Sequence, residues 1–252
     1  MLGASKPDNM GQVIARRFAA EGAKVLVAGR HQREVLECLA GEIGGAFFIC
    51  DIARPQDVAA LSRSACNQLG GIDIAVNATG WGLLKPFLET TVEDIDAMAA
   101  VQLRGPFLFF QEMVRAMTGG GSIIQISSVV ATIMCPDHAV YMATKAATDH
   151  LIRIVADEFG ARGVRANSIS PALTSTPMAA GVMGAVDCFL PHFPLGRICS
   201  GEDIAAAAVW LATDECFMTG ENLQVNGGFH LRRHPSREEM AAFGLDFANI
   251  QS

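Results

Sequence analysis

The chain has 252 residues, half of them hydrophobic and 18% charged, with a formal net charge of −7. That composition supplies a sizeable core and excludes a disordered chain, and the length suits one large α/β domain better than two small ones. The negative balance is spread along the chain and argues against a nucleic-acid or anionic-membrane partner.

There is no apolar run of about 18 residues and no charged, apolar, small-residue leader. The seven cysteines show neither CxxC pairing nor Cys/His metal spacing. They read as free thiols in a reducing cytoplasm, with no metal site.

Only Met1 and Leu2 precede GASKPDNMG (3–11), a stretch with glycines at its ends and small residues between. Such a loop suits phosphate bound at a helix N-terminus, where free N–H groups attract an anion and glycine permits close approach. Its interior is longer and more polar than a strict GxGxxG, and a surface turn would look similar. The context favours the nucleotide reading, because an amphipathic helix is expected over 11–22 and the strand KVLVAG over 24–29. The candidate contacts here are Gly3, Ser5, Lys6, Met10 and Gly11.

That strand ends Ala28-Gly29-Arg30-His31, with no carboxylate. An NAD site places an acidic residue about 20 positions past the glycines, on the ribose 2′-hydroxyl. Arg30, with Lys6, would instead face a 2′-phosphate, so NADP(H) is the expected coenzyme and NAD(H) the alternative.

Further apolar runs follow at AFFIC (46–50), IDIAVN (72–77), SIIQIS (122–127), VRANSIS (164–170) and NLQVN (222–226). Helical patterns separate them at about 31–42, 55–70, 93–117, 138–160 and 201–213. This alternation predicts a parallel sheet covered on both faces, a single doubly wound, Rossmann-like domain spanning 1–252.

The most informative stretch is SSVVATIMCPDHAVYMATK (127–145). Tyr141 and Lys145 are four apart at a helix start and therefore share a face. A cation beside a phenol favours phenolate and lowers a pKa that is ordinarily near 10, giving a group able to donate or accept a proton near neutrality. Ser128, at the end of the preceding strand, offers a hydroxyl where charge develops on a substrate oxygen. Tyr141 is the only tyrosine, against 14 phenylalanines.

Residues 177–196 are Met-, Gly- and Phe-rich without a clean period, which suits a mobile apolar lid over a pocket. The C-terminal extension, 229–252, carries Ser236 and Glu239 at capping-box spacing, a short helix and Gly244 as its C-cap. Its end, LDFANI, is expected to pack on its own or a neighbouring subunit. Trp81, Leu83, Ile133, Met134, Cys135, Met178, Met183 and Phe189 are the expected pocket lining.

Over nearly its whole length the chain resembles the short-chain dehydrogenase/reductase family. Ser128 and Tyr141 stand 13 apart, Lys145 completes YxxxK, and NATG (77–80) is similar to the family's NNAG. Asn167–Ala172 resembles N-x-x-x-P-G with Ala for Gly, and PLGRICSGEDIAAAAVWLA and TGENLQVNGG resemble the closing segments.

The resemblance implies that Asp51 and Ile52 contact adenine and that Asn77, Ala78 and Gly80 flank the cofactor. It places Pro171, Ala172, Thr174 and Thr176 at the nicotinamide, and has Lys145 both tune Tyr141 and hold the nicotinamide ribose. It also implies a homodimer or homotetramer paired through helices 93–117 and 138–160.

Three departures stand against it. The glycine loop is two residues longer than usual, somewhat as in the enoyl-reductase branch, although YxxxK is tighter than that branch's spacing. Gln102 stands where the family has a catalytic Asn. Pro106, four residues on, should free the Gln102 carbonyl and bend the helix. The resemblance implies that the carbonyl at this position holds a water linking the lysine to solvent, so the backbone here would still provide that acceptor. The first strand is largely absent, which would leave its two neighbours with open edges; the expectation is a natural product starting several residues upstream of Met1.

The expected function is therefore an NADP(H)-dependent oxidoreductase interconverting a ketone and a secondary alcohol. The substrate would be medium or bulky and hydrophobic: a cyclic ketone, a steroid-like ketone or a 3-oxoacyl thioester. The thioester ranks last, since a carrier protein wants a basic patch and only Arg162 and Arg165 offer one. The alternative is a non-catalytic or weakly active nucleotide-binding regulator, favoured by Gln102 and the short N-terminus.

Overall fold

The computed structural model describes residues 1–245, so LDFANI past Leu245 lies outside the described residues. Six strands and eight α-helices alternate along them. The strands are β1 (Leu26–Gly29), β2 (Ala46–Ile49), β3 (Ile74–Asn77), β4 (Gly121–Ile126), β5 (Val164–Ile169) and β6 (Asn222–Leu223). All neighbouring pairs are parallel, in two ladders ordered β2-β1 and β3-β4-β5-β6.

Leu2 joins the ladders, bridging Ala28 of β1 on one side and Asn77 of β3 on the other. Leu2 N–H donates to the Val76 carbonyl and Ala78 N–H to the Leu2 carbonyl, both at 2.9 Å. Ala28 N–H donates to the Met1 carbonyl at 2.8 Å, and Gly3 and Ala4 N–H both reach the Ala28 carbonyl. The expectation of two open edges is corrected to this extent: two residues close the upper part of the gap, because Leu2 pairs on both sides at once. Leu2 is also 1% exposed, so its side chain joins the core beneath the glycine loop.

The helices are α1 (Met10–Ala20), α2 (Arg33–Glu42), α3 (Pro55–Leu69), α4 (Val92–Ala99), α5 (Gly105–Ala116), α6 (Ala139–Phe159), α7 (Gly201–Ala212) and α8 (Arg237–Ala242). Their starts follow from local chemistry. Thr91/Asp94, Ser200/Asp203 and Ser236/Glu239 form reciprocal capping boxes at α4, α7 and α8. Pro55 opens α3 at a position needing no N–H, and Gly70 closes it at φ 90°.

The predicted continuous helix 93–117 is instead two helices joined by a π-helical turn, Ala100–Arg104. Pro106 has no N–H to offer the Gln102 carbonyl, and the helix is π-wound at this point, with the Gly105 N–H reaching back to the Ala100 carbonyl.

Two apolar clusters cover the faces of the sheet. One packs α3, α5 and α6 against it, the other α1, α2 and α7. A third, outside the sheet, joins the segment after β4 to residues 185–199 and to Phe229 and Met240 of the C-terminal extension. Residues 177–188, expected as part of a lid, form 3₁₀ turns kinked at Ala185. Val92, Ile95, Leu103, Phe107 and Ile154 remain exposed on α4, the π turn, α5 and α6. No described helix is long and apolar enough to cross a membrane.

The glycine loop is packed backbone to backbone. A Cβ on Gly11 would lie 2.4 Å from the Gly3 carbonyl oxygen, which cannot move without disturbing the Leu2 pairing. Gly11→Ala should therefore cost about 1–3 kcal/mol and lower the thermal midpoint by several degrees. Differential scanning calorimetry checks this, and an unchanged midpoint would show that the loop yields freely.

Candidate active site

β4 ends at Ile126, and the chain runs through Ser127 and Ser128 into the 3₁₀ turn Val129–Ala131. Ser128 caps this turn, its hydroxyl 3.4 Å from the Val130 N–H, and Ser170 Oγ donates to the Ser128 carbonyl at 3.2 Å. Tyr141 lies in the first turn of α6 and Lys145 in the next. Lys145 is 4% exposed; its Nζ donates to the Ile126 carbonyl at 2.9 Å and sits 5.6 Å from the Tyr141 ring centroid. The structure thus brings Ser128, Tyr141 and Lys145 to the C-terminal end of one central strand.

The electrostatics differ from the sequence expectation. Burial pushes the Tyr141 phenol up to about 12, opposed by the hydrogen bond with Ser128. Burial also draws Lys145 down to about 8, opposed by the charge of Asp149. The phenol is not lowered by its lysine, because the ammonium turns onto a backbone carbonyl and both groups have lost solvent.

Gln102 is 2% exposed in the π turn. Its Nε2 donates to the Trp81 carbonyl at 3.2 Å and contacts Met98 Sδ, while its Oε1 is buried without a partner among the described residues. A Cβ built on Gly80 would meet Gln102 Oε1 at 2.8 Å and Lys145 Nζ at 3.5 Å, so glycine keeps this corner open. The Gln102 backbone carbonyl is freed from the helix ladder as expected, but it is not left open. It accepts from Thr148 Oγ1 on α6 at 2.6 Å.

The candidate dinucleotide contacts gather along the same edge of the sheet. Gly3, at φ 102°, lies so close to Ala78 that a Cβ would meet its carbonyl at 2.7 Å; Gly29 stands equally close to Ser5. Asn9 caps α1, accepting from Gln12 N–H at 3.0 Å and donating to the Gly3 carbonyl at 2.8 Å. Gln12 donates to the Ala4 carbonyl. These two side chains brace the loop against the start of α1, where Gly11 is buried against Gly3 and Met10 packs on the second apolar cluster. They were missed in the sequence, although an Asn directly before a helical run is a legible cap.

Arg30 follows β1, its Nε donating to His31 Nε2 at 2.7 Å and its guanidinium 3.9 Å from Asp51. Lys6 is exposed in the loop. Asp51 accepts from Ala53 N–H at 3.0 Å, and Ile52 is buried against Gly105. A cavity of about 370 Å³ opens between Arg30, Ala53, Trp81, Ala97, Ala100 and Val101.

Asn77 bonds Gln125 at 2.8 Å and receives both the N–H and hydroxyl of Thr79, which fixes the turn through Ala78 to Gly80. Across the groove the Pro171 carbonyl accepts from Val129 N–H, and Thr174 donates to the Ala172 carbonyl and bridges Cys199. Thr176 heads the 3₁₀ run. These residues fit a dinucleotide: close-packed glycines, the N-terminal end of α1, an adjacent cation and an apolar cavity.

The pocket residues divide. Ile133, Cys135 and Phe189 pack with Tyr141 in the third apolar cluster. Trp81 lines the cavity near Arg30, and Leu83 and Met183 are partly buried. Met134 is a correction: it is 71% exposed, turned to solvent while its neighbour Cys135 points into the cluster. Met178 is 55% exposed.

Sequence reasoning missed His138, whose ring stands edge-on to Tyr141 at 5.2 Å, with Nδ1 buried and unpartnered among the described residues. Burial pulls it down to about 4, so it is neutral across the physiological range. Arg237 of α8 pairs with Asp137 beside it, tying the C-terminal extension to the approach of α6.

The family model described as Enoyl-(Acyl carrier protein) reductase matches residues 3–230. D-threitol dehydrogenase of Mycolicibacterium smegmatis is 34% identical over 88% of this chain and 89% of its own. 3beta-hydroxysteroid dehydrogenase 1 of Eggerthella lenta is 33% identical over 92% of each. Among solved structures, a 3-ketoacyl-(acyl-carrier-protein) reductase from Brucella melitensis complexed with NADH superposes with a TM-score of 0.84. It is 28% identical, with 91% of this chain and 96% of that one covered.

Proposed function

Given that the chain belongs to the short-chain dehydrogenase/reductase family and is an oxidoreductase of that family, we propose that it interconverts a ketone and a secondary alcohol on an apolar, ring-sized substrate with NADP(H). The observation that carries this reading is the placement of Tyr141. Its ring belongs to the cluster of Ile133, Cys135 and Phe189, while its phenol meets Ser128 and stands one turn from Lys145.

Ser128 would hold the carbonyl oxygen, and Tyr141, protonated throughout the neutral range, would donate to it in reduction. A bound nicotinamide supplies the hydride in that direction and accepts it in the other. Gly3, Ser5, Lys6, Met10 and Gly11 would hold the pyrophosphate, with Arg30 and Lys6 at the 2′-phosphate. Asp51 and Ile52 would take the adenine, and Asn77 to Gly80 would flank the ribose that Lys145 holds. Pro171, Ala172, Thr174 and Thr176 would face the nicotinamide.

A hydroxysteroid relative supports the apolar substrate, while a threitol relative extends the range to small polyols. A carrier-borne thioester fits less well. Arg162 is engaged with the Val114 and Met117 carbonyls, and Arg165 with those of Leu211 and Thr213. The exposed apolar residues of α4, α5 and α6 support a dimer or tetramer.

The deciding experiment compares NADPH and NADH oxidation against a panel of cyclic ketones, steroid ketones, ketoses and 3-oxoacyl thioesters. Coenzyme binding without turnover on any of them would select the regulator instead.

Gln102 is part of the same proposal, as a side chain that need not carry the proton. Its Oε1 has no partner among the described residues, and its carbonyl is engaged by Thr148. Gln102→Ala should retain activity within about tenfold, well short of what loss of a general acid costs. A folded variant as damaged as one lacking the Tyr141 hydroxyl would make the side chain essential.

A further inference from the structure

Lys145 is 4% exposed, and its one hydrogen bond among the described residues runs to an uncharged acceptor, the Ile126 carbonyl. A buried ammonium so sparsely partnered tends to shed its proton. Four residues further along α6, on the same face, lies Asp149, 6% exposed. Its Oδ2 accepts from Ser127 Oγ at 2.9 Å and from Asn222 Nδ2 at 2.5 Å. Among the described residues its Oδ1 has no hydrogen-bond partner, and neither has the hydroxyl of Ser168 on β5. That hydroxyl nevertheless acts to lower the carboxyl's pKa.

An asparagine could accept both of those bonds, and its amide nitrogen could also donate toward Ser168. An asparagine would thus keep the bonding pattern, although the hydrogen bonds of Ser127 and Ser168 do favour the ionised carboxyl. Burial, in turn, raises the Asp149 pKa, so the fold gains nothing from its ionisation.

We propose that Asp149 is a positioning residue for Lys145: tied to Ser127 and Asn222 one turn along the helix, its carboxylate is the counter-charge that keeps the buried ammonium cationic. This rests on the reading that Lys145 serves carbonyl reduction. The other groups facing the pair are few. Tyr141 lies before Lys145 on α6, with Cys135 acting on the phenol, and Arg153 acts on Asp149 from the exposed side. Ser127, Ser168 and Asn222, on the sheet side, and Gln102 in the π turn are uncharged.

The chain has four lysines, Lys6, Lys24, Lys85 and Lys145, so the ε-methylene signals of ¹³C-lysine-labelled protein can be followed one by one. Lys145, assigned with Lys145→Met, should titrate near pH 8 in the unaltered protein. In Asp149→Asn it should titrate about one pH unit lower, and Asp149→Glu should return it toward its original position. The alkaline limb of kcat/KM for carbonyl reduction should move to lower pH in Asp149→Asn, while its thermal midpoint stays at or above that of the parent.

The proposal is overturned if the Lys145 titration does not move. It is also overturned if Asp149→Asn unfolds, or melts several degrees lower with rates reduced evenly at every pH, since a structural strut behaves that way. The lysine titration needs no turnover. A parent protein inactive on the whole carbonyl panel would therefore defeat the reductase reading and leave this test standing.

Discussion

Tyr141→Phe should lower kcat/KM for carbonyl reduction by about 10²–10⁴-fold, the range typical for loss of a general acid–base group. The phenylalanine ring keeps the contacts with Ile133, Cys135 and Phe189 and the edge-on packing of His138. What disappears is the hydroxyl, with its bond to Ser128. Circular dichroism and thermal midpoint should therefore stay close to those of the parent while turnover collapses. The raised phenol also fixes the pH behaviour. With a pKa pushed up to about 12, the proton is present at neutrality, so reduction has its donor there. Oxidation needs the phenolate and should accelerate as pH rises. A folded Phe variant retaining more than a tenth of the reduction rate would remove Tyr141 from the chemistry.

Arg30→Asp should move coenzyme preference from NADPH toward NADH by about 10–150-fold, the equivalent of 1.5–3 kcal/mol for one charge-assisted contact. Arg30 is exposed at the end of β1, held by His31 and offset by Asp51 at 3.9 Å. An aspartate in its place would repel a 2′-phosphate, and Asp51 beside it would strengthen that repulsion. The ratio of kcat/KM for the two coenzymes is the readout. A parent enzyme that already favours NADH would show that Arg30 is a solvated surface residue.

Most of the sheet and its covering helices could be read from the sequence, because near-continuous apolar runs such as SIIQI and helical runs such as VIARRF are local signals. The capping box at Ser236 and Glu239 was equally legible, and it formed. Over 93–117 the apolar period runs through the break, so the sequence pattern shows a single helix there. Pro106 signalled a bend, but not that the backbone would answer with a π turn and pass the Gln102 carbonyl to Thr148.

In the site, the Ser–Tyr–Lys spacing gave the residues that meet. It could not give their protonation, since a one-dimensional reading counts the neighbouring charge and not the loss of water around Tyr141 and Lys145. Asp149 left no trace because its partners, Ser127 and Asn222, come from distant parts of the chain.

The pairing of Leu2 with both β1 and β3 has a consequence for how the sheet moves. The two ladders meet through a seam only a residue or two long, whereas β4 and β5 share six residue pairs. Local opening should begin where the fewest rungs must part. Amide protons of Leu2, Gly3, Ala28 and Ala78 would then exchange with solvent sooner than those inside β4 and β5. Arg30 and the glycine loop depend on one side of that seam, and Ser128 with Lys145 on the other. Breathing at this line would change the span between the two halves of the groove while leaving each half internally rigid.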